Sequence, residues 1–238
     1  MNDDNSMVVF LTHGGTITSP LTRCITFELW DCSTSTSVVH SAELTFSGGT
    51  ASATIDVPCG NYTCVTARDR LHTLRRTADS GTGDFQIVGT QYVATFADPL
   101  LGGNLNDDDF VDILDFGVFS YLFGPGGGST TCAELGPHAD IDGDTVVDSD
   151  DFSFIQINFL KFHDPNCCSG PAPLGPTGLP VTSITVDELR RMKLEHLAAG
   201  DLNGDNVLDQ ADMIAFMQGA RPSSEPLAKP KEGSSLHR

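Results

Sequence analysis

Two different hydrophobic patterns divide the chain near residue 98. Before that point, short runs of Val, Ile, Thr and aromatic residues are interrupted about every 8 to 12 residues by Gly, Ser, Pro or Asp. Beyond it, acidic segments precede short apolar runs whose spacing is helical. We therefore predict an α+β protein, with an antiparallel β-sandwich over residues 1–98 and an α-helical module over residues 99–220.

The first half contains seven segments with strand character. These segments are MVVFLT, CITFELW, SVVHSAELTF, TASATIDV, YTCVTARD, DFQIVG and QYVATF. In TASATIDV, the apolar residues Ala51, Ala53, Ile55 and Val57 alternate with polar ones, which predicts a strand with one buried face. Seven short strands with regular turn signals are typical of an antiparallel sandwich.

The apolar runs of the second half predict helices. FGVFSYLF, FSFIQINFL and MIAFMQ place apolar residues three or four positions apart, as at Phe116, Phe119 and Phe123. The longest predicted helix covers residues 185–199, with a capping box of Thr185 and Glu188 at its start. The tail over residues 221–238 is rich in Ser, Pro and Lys, so we expect it to be disordered.

A twelve-residue acidic pattern occurs three times. Loop 1 (NLNDDDFVDILD) begins at Asn104, loop 2 (DIDGDTVVDSDD) at Asp140 and loop 3 (DLNGDNVLDQAD) at Asp201. In every copy positions 1, 3, 5, 9 and 12 carry a side-chain oxygen, and position 8 is apolar. The side chains at those five positions are Asn104, Asn106, Asp108, Asp112 and Asp115 in loop 1, Asp140, Asp142, Asp144, Asp148 and Asp151 in loop 2, and Asp201, Asn203, Asp205, Asp209 and Asp212 in loop 3.

This spacing predicts calcium sites, because Ca²⁺ takes six to eight oxygen ligands from a loop that wraps the ion. Position 7 would add a backbone carbonyl, from Phe110, Val146 or Val207. Position 9 often acts through a water, and position 12 would give both carboxylate oxygens. We expect up to three Ca²⁺ ions, with loop 1 binding most weakly because it has the fewest carboxylates. The apolar position 8 would pair two loops as a short strand.

The three loops resemble the calcium-binding repeats of dockerin type I modules, which have Asp or Asn at positions 1, 3, 5 and 9, Asp at position 12, and one helix afterwards. The resemblance covers residues 102–122, 138–160 and 199–219. It implies an EF-hand-like extracellular module with calcium-dependent folding that often binds a cohesin partner. This chain departs from the pattern by having three repeats, by lacking Gly at position 6 of each loop, and in the residues at loop positions 10 and 11. The layout is also similar to that of secreted multi-domain proteins of planctomycete type.

Charge and hydropathy exclude several classes of partner. The formal net charge of −19 argues against nucleic-acid binding and against docking on anionic lipid. The sequence has no apolar run of about 18 residues, so no membrane-spanning helix is expected. Met1 is followed by acidic and polar residues, so no signal peptide is predicted in this sequence.

Seven cysteines in loop-like contexts predict disulfides and an oxidising compartment, extracellular or at the cell surface. Several pairings satisfy the sequence. Cys59 and Cys64 flank a turn and could pair with each other, or Cys24 or Cys32 could pair with either of them instead. Cys132 could pair with one of the adjacent cysteines Cys167 and Cys168, or those two could pair with each other. Because seven is odd, at least one thiol is free or pairs between chains.

Two further motifs suggest other chemistry. Residues 8–19, VVFLTHGGTITS, resemble a segment of bacterial asparaginases with Thr16 in the nucleophile's place, but the second Thr-Asp motif and the lysine of those enzymes are not found. RDRLHTLRR, residues 68–76, is a basic cluster that either meets an acidic partner or polyanionic glycan, or balances nearby acids. We therefore predict a non-enzymatic, extracellular calcium-binding protein acting in adhesion or assembly through a cohesin-like or self-association contact. The alternative is a carbohydrate-associated protein whose sandwich binds glycan.

Overall fold

The computed structural model describes residues 4–134, 136–168 and 178–222. In the first half the strands are β1 (Asp4–Thr12), β2 (Leu21–Asp31), β3 (Thr36–Phe46), β4 (Thr50–Pro58), β5 (Cys64–Asp69), β6 (Arg76–Asp79), β7 (Phe85–Val88) and β8 (Gln91–Thr95). The second half contains α1 (Ile113–Leu122), β9 (Gly124–Pro125), β10 (Val146–Val147), α2 (Ser149–Asn158), β11 (Ser183–Thr185), α3 (Val186–Arg191), a 3₁₀ helix (Glu195–Gly200), β12 (Val207–Asp209) and α4 (Gln210–Met217). The fold is therefore α+β, as predicted.

The first half forms two four-stranded sheets, with strand orders β4-β1-β8-β7 and β3-β2-β5-β6. All seven predicted strands are present. The sandwich-like part is not purely antiparallel, because β1 and β8 run parallel, with Met7 opposite Tyr92. Strand β6 was missing from the prediction, because its sequence Arg-Thr-Ala-Asp offers only Ala78 as an apolar residue and so shows no alternation.

The core of the first half lies between these two sheets. Alternate residues of β1 and β2 are buried in one continuous cluster, for example Val9 in β1 and Phe27 in β2. The predicted alternation in β4 is confirmed, since Ala51, Ile55 and Val57 are buried while the intervening polar residues are exposed. Each large side chain removed from water in this way contributes roughly 1.5–3 kcal/mol.

A cluster of aromatic rings forms the core of the second half. Phe116 and Phe119 of α1 meet Phe152 of α2 and Phe216 of α4, with ring centroids of Phe152 and Phe216 4.9 Å apart. The helices that follow the three acidic loops therefore pack against one another. The backbone of α1 also lies close to the 3₁₀ helix at Gly117, where a Cβ would meet the Cβ of Leu197 at 2.9 Å.

The single helix predicted over residues 185–199 is wrong. Its start is confirmed, since Thr185 caps α3 and forms the capping box with Glu188. The helix ends at Arg191, and Lys193 takes a left-handed conformation with φ 62°. The chain continues as the 3₁₀ helix, which buries Leu197 in the second core. Tertiary burial thus overrides the helical propensity of this segment.

Three disulfides join the two halves of the chain. The bonds are Cys24–Cys132, Cys32–Cys168 and Cys64–Cys167, and Cys59 is an exposed free thiol. Disulfide formation and the unpaired cysteine were predicted correctly, whereas every predicted pairing is wrong. Each bond connects a cysteine on or beside a sandwich strand to a connector of the second half, across at least 103 residues of sequence.

The predicted disordered tail, residues 221–238, lies outside the described residues except at its first two positions. There, Arg221 stacks its guanidinium over the ring of Phe216, 4.4 Å from the ring centroid. Within the described part of the chain, no helix is long and apolar enough to cross a membrane.

Candidate metal centre

Each acidic loop runs directly into a helix through the same capping arrangement. Position 9 is the N-cap residue and position 12 is the third residue of the helix, in α1, α2 and α4 alike. The position-9 carboxylate accepts a hydrogen bond from the backbone N–H of position 11, for example at 2.8 Å between Asp148 and Asp150. Asp at both positions therefore satisfies N–H groups that a helix leaves unpaired at its start.

The position-12 carboxylate closes each loop. In loop 2, Asp151 accepts hydrogen bonds from the N–H groups of Ile141 (2.6 Å), Asp142 (3.1 Å) and Asp148 (2.9 Å). Asp115 and Asp212 accept the three equivalent bonds in the other loops. The first residues of the loop are thereby tied to the first turn of the following helix in all three copies.

Positions 3 and 5 shape the middle of each loop. The side chain at position 3 accepts a bond from the N–H of position 5, and the side chain at position 5 accepts one from position 7. In loop 2 these distances are 3.0 Å for Asp142 with Asp144 and 2.8 Å for Asp144 with Val146. The oxygens at positions 1, 3 and 5 are therefore held on one short turn.

Loop 2 brings the densest group of carboxylates together. Oxygens of Asp140, Asp142 and Asp144 all lie within 4.8 Å of one another, and Asp140 is completely buried. Burial raises the pKa of Asp142 to about 6 and that of Asp151 to about 7. Adjacent buried carboxylates are costly to ionise without a compensating cation. The donor set consists entirely of oxygens, which fits Ca²⁺.

Loop 3 repeats the geometry of loop 2 at position 1. Asp201 accepts bonds from the N–H groups of Gly204 (2.9 Å) and Asn206 (3.0 Å), as Asp140 does from Gly143 and Thr145 in loop 2. Positions 4 and 6 have positive φ in both loops. Gly at position 4 suits this backbone, whereas Thr at position 6 of loop 2, with φ 80°, is strained.

Loop 1 differs at its first residue. Asn104 is completely buried and donates from Nδ2 to the carbonyl of Asp108 at 2.8 Å. Its Oδ1 accepts no hydrogen bond from the described residues. A buried acceptor without a donor is unusual, and a cation at the predicted site would satisfy it. At position 6, Asp109 does not adopt the left-handed conformation seen in the other loops.

The expectation that position 8 pairs two loops is wrong. Strand β10 of loop 2 pairs with β9, and β12 of loop 3 pairs with β11. In loop 1, Phe110 forms a bridge with Phe162, in the connector that follows α2. Each short strand therefore pairs with a segment outside the acidic loops.

The sandwich contributes basic residues to the junction with the acidic loops. Asp107 of loop 1 is bound by Arg68 and Arg70, each at 2.8 Å, and Arg76 binds Asp164 at 2.7 Å. The interpretation that the basic cluster balances nearby acids is confirmed for these arginines. That these acids would come from the second half was not predicted, because Asp107 and Asp164 lie far from the arginines along the chain.

A buried polar group accompanies these ion pairs. Asp69, His72 and Arg23 are buried, with Asp69 Oδ2 2.7 Å from His72 Nδ1 and 3.7 Å from Arg23 Nε. His72 Nε2 lies 2.7 Å from Nδ1 of His138, just before loop 2. Burial lowers the pKa of His72 to about 4, which favours its neutral form. Sequence spacing did not indicate this cluster, because Arg23 and His138 are distant in the chain from Asp69 and His72.

A cleft of about 410 Å³ opens where the sandwich meets loop 1, α1 and the 3₁₀ helix. Its walls combine aliphatic side chains with polar ones, which are Thr26, Ser41, Asp69, Arg70, Asn106, Asp107, Thr131, Glu134 and His196. The volume falls in the range of small-molecule sites.

No protein-family model matches the chain, and no curated protein matches its sequence.

Proposed function

We propose that this chain is an extracellular calcium-binding protein in which up to three Ca²⁺ ions organise the second half. The ions would be held by the oxygens at positions 1, 3, 5, 7, 9 and 12 of the three loops, as in the dockerin-like repeats that these loops resemble. The chain would act without catalysis, in adhesion or in assembly with a protein partner.

The observation that carries this proposal is the repetition of one closed turn in three places. Three segments of different sequence direct the acceptor side chains at positions 3, 5, 9 and 12 into the same hydrogen-bond pattern and begin a helix at the same position. Helix capping alone accounts for positions 9 and 12. It does not account for the acceptors at positions 1, 3 and 5, which in loop 2 are three carboxylates within 4.8 Å of one another, a grouping that is costly without a cation.

The three disulfides support an extracellular location, because such bonds persist in oxidising compartments. An assembly role is supported by apolar side chains on the helices that follow loops 2 and 3. Ile157 of α2 is 71% exposed and Met217 of α4 is 52% exposed. The two helices meet there, with Gln156 Nε2 3.0 Å from Met217 Sδ. A calcium-ordered pair of helices would present this surface to a protein partner.

Calorimetry on EDTA-stripped protein tests the calcium sites. We expect three equivalents of Ca²⁺ and, for Asp108→Ala, Asp144→Ala or Asp205→Ala, the loss of one equivalent each. Position 5 is chosen because its side chain makes few bonds within the loop. A matched control is Asp187→Ala, which removes an exposed carboxylate outside the loops. Wild-type protein that takes up no Ca²⁺ would refute the proposal.

A carbohydrate-associated role is the second candidate, and the cleft beside loop 1 favours it. Hydroxyl, amide and charged groups in its walls suit a polyhydroxylated ligand. A glycan array with and without Ca²⁺ separates the two functions. Glycan binding lost in Ser41→Leu would support this candidate, whereas capture of a protein partner only in Ca²⁺ would support assembly.

A further inference from the structure

Loop 2 is attached to the sandwich by Thr18, in the segment between β1 and β2. Both the backbone N–H and the side-chain hydroxyl of Thr18 donate to the carbonyl of Asp142, at 2.8 and 2.9 Å. Asp142 occupies position 3 of the loop and is a predicted ligand. The sandwich therefore fixes the backbone at the point from which a ligand side chain projects.

Arg23 of β2 holds the start of the same loop. Its Nη2 donates to the carbonyls of Asp140 (2.6 Å) and Ile141 (3.2 Å), while its Nη1 donates to the carbonyl of Gly128. Arg23 is completely buried. A buried guanidinium that joins three carbonyls fixes the backbone of positions 1 and 2 with little freedom to move.

The space around position 4 differs between loops 2 and 3, and this difference also shows that loop 2 contacts the sandwich. Gly143 and Gly204 have nearly the same backbone conformation, with φ 81° and 77°. A Cβ on Gly143 would overlap Cδ1 of Leu21 in β2 and approach Oγ1 of Thr18 to 2.9 Å, whereas a Cβ on Gly204 would meet nothing within 4 Å. Loop 2 is therefore packed against the sandwich, and loop 3 is open at the equivalent position.

We infer that loop 2 is a calcium site shared between the two halves, with Thr18, Leu21 and Arg23 of the sandwich as positioning residues. This inference rests on the proposed function. Because binding and docking act on the same loop conformation, each must strengthen the other by the same factor. Ca²⁺ in loop 2 thus stabilises the junction with the sandwich, and Ca²⁺ in loop 3 does not.

Thr18 gives the cleaner test, because Arg23 acts in two opposing ways. The positive charge of Arg23 repels a second cation, while its hydrogen bonds hold the loop in shape. Thr18 is neutral and acts through geometry alone. Thr18→Val removes one hydrogen bond to Asp142 with little change of volume, and the neighbouring exposed Thr16→Val is the matched control.

Calorimetry would be done on the full chain carrying Asp108→Ala and Asp205→Ala, so that the measured Ca²⁺ binding comes from loop 2 alone. We expect Thr18→Val to weaken Ca²⁺ binding by about 2- to 10-fold, the value of one hydrogen bond. Thr16→Val should bind as the parent does. In a chain where only loop 3 can bind Ca²⁺, Thr18→Val should leave the Ca²⁺ affinity unchanged. Unchanged affinity of loop 2 in Thr18→Val would overturn the inference.

A second pair of variants gives an independent measurement. Gly143→Ala and Gly204→Ala place a side chain in the same left-handed backbone, so their backbone strain is alike. We expect Gly143→Ala to reduce loop 2 affinity by a larger factor than Gly204→Ala reduces loop 3 affinity. Equal factors would contradict a contact between loop 2 and the sandwich.

Hydrogen exchange measures the reciprocal effect. Ca²⁺ should slow exchange of the β2 amides in wild-type protein. The effect should be smaller in Thr18→Val, and in Thr16→Val it should be as large as in wild-type protein. Calcium uptake without any change in β2 would overturn the shared site while leaving the proposed function intact. Absence of Ca²⁺ uptake by wild-type protein would remove the proposed function itself.

Discussion

Replacing the carboxylate at position 12 of loop 2 should destabilise the protein even without metal. Asp151 is completely buried and accepts three backbone hydrogen bonds, whereas Asp144 at position 5 is exposed and accepts one from Val146. Both are predicted calcium ligands. The variants Asp151→Ala and Asp144→Ala therefore separate the closing of the loop from the binding of the metal.

The expected magnitudes follow from the bonds that are lost. Three hydrogen bonds of about 1 kcal/mol each are lost in Asp151→Ala. Relief of a buried carboxylate offsets part of this, so we expect a loss of about 2–3 kcal/mol in EDTA. Asp144→Ala should lose under about 1 kcal/mol. At a free Ca²⁺ concentration of about 100 Kd, both variants should forfeit a further ~2.7 kcal/mol of stabilisation that wild-type protein gains at this site.

Urea unfolding of the two variants, in EDTA and in Ca²⁺, measures these differences. Equal destabilisation of both variants in EDTA would refute the assignment of loop closure to position 12. If adding Ca²⁺ raised the stability of both variants as much as that of wild-type protein, loop 2 would not be a metal site.

Three further predictions concern the disulfides between the two halves, proton release on Ca²⁺ binding, and the packing of α1 against the 3₁₀ helix. Reducing all three disulfides should lower the free energy of unfolding by at least about 4 kcal/mol, because each closes a loop of more than 100 residues. Urea unfolding with and without reductant measures this loss, and an unchanged unfolding midpoint would contradict the prediction. In metal-free protein, burial raises the pKa of Asp142 to about 6 and that of Asp151 to about 7, so Ca²⁺ binding at pH 6 should release protons and be weaker than at pH 8. Calorimetry in buffers of different ionisation enthalpy detects the release, and equal affinity at both pH values would refute it. Gly117→Val should cost about 1–3 kcal/mol in urea unfolding, because it meets Leu197, whereas Gly136→Val lies in open space and should cost little; equal costs would refute the packing argument.

Part of the candidate site was visible in the sequence because its interactions are local. The hydrogen bonds that close each loop join residues no more than ten positions apart, as between Ile141 and Asp151. The repeated spacing of Asp and Asn therefore contains the information for the turn and the helix start. Gly143 and Gly204 at position 4 were also visible, and their alignment would have predicted the left-handed residue there.

Strand alternation was readable for the same reason, since burial of β4 repeats every two residues. The 3₁₀ helix was not readable, because the left-handed turn at Lys193 serves to bury Leu197 beneath α1. Intrinsic propensity favoured a continuous helix, and packing against Gly117 decided otherwise.

The amino-acid sequence by itself determined the acidic turns, their helices and the presence of disulfides. Only the tertiary structure decided which cysteines pair, which strands flank position 8, and that Arg23 supports loop 2. These are contacts between residues that are distant in the chain, such as Cys24 and Cys132, separated by 108 positions. The spacing of residues along the sequence does not predict such contacts, because they depend on how the two halves pack together.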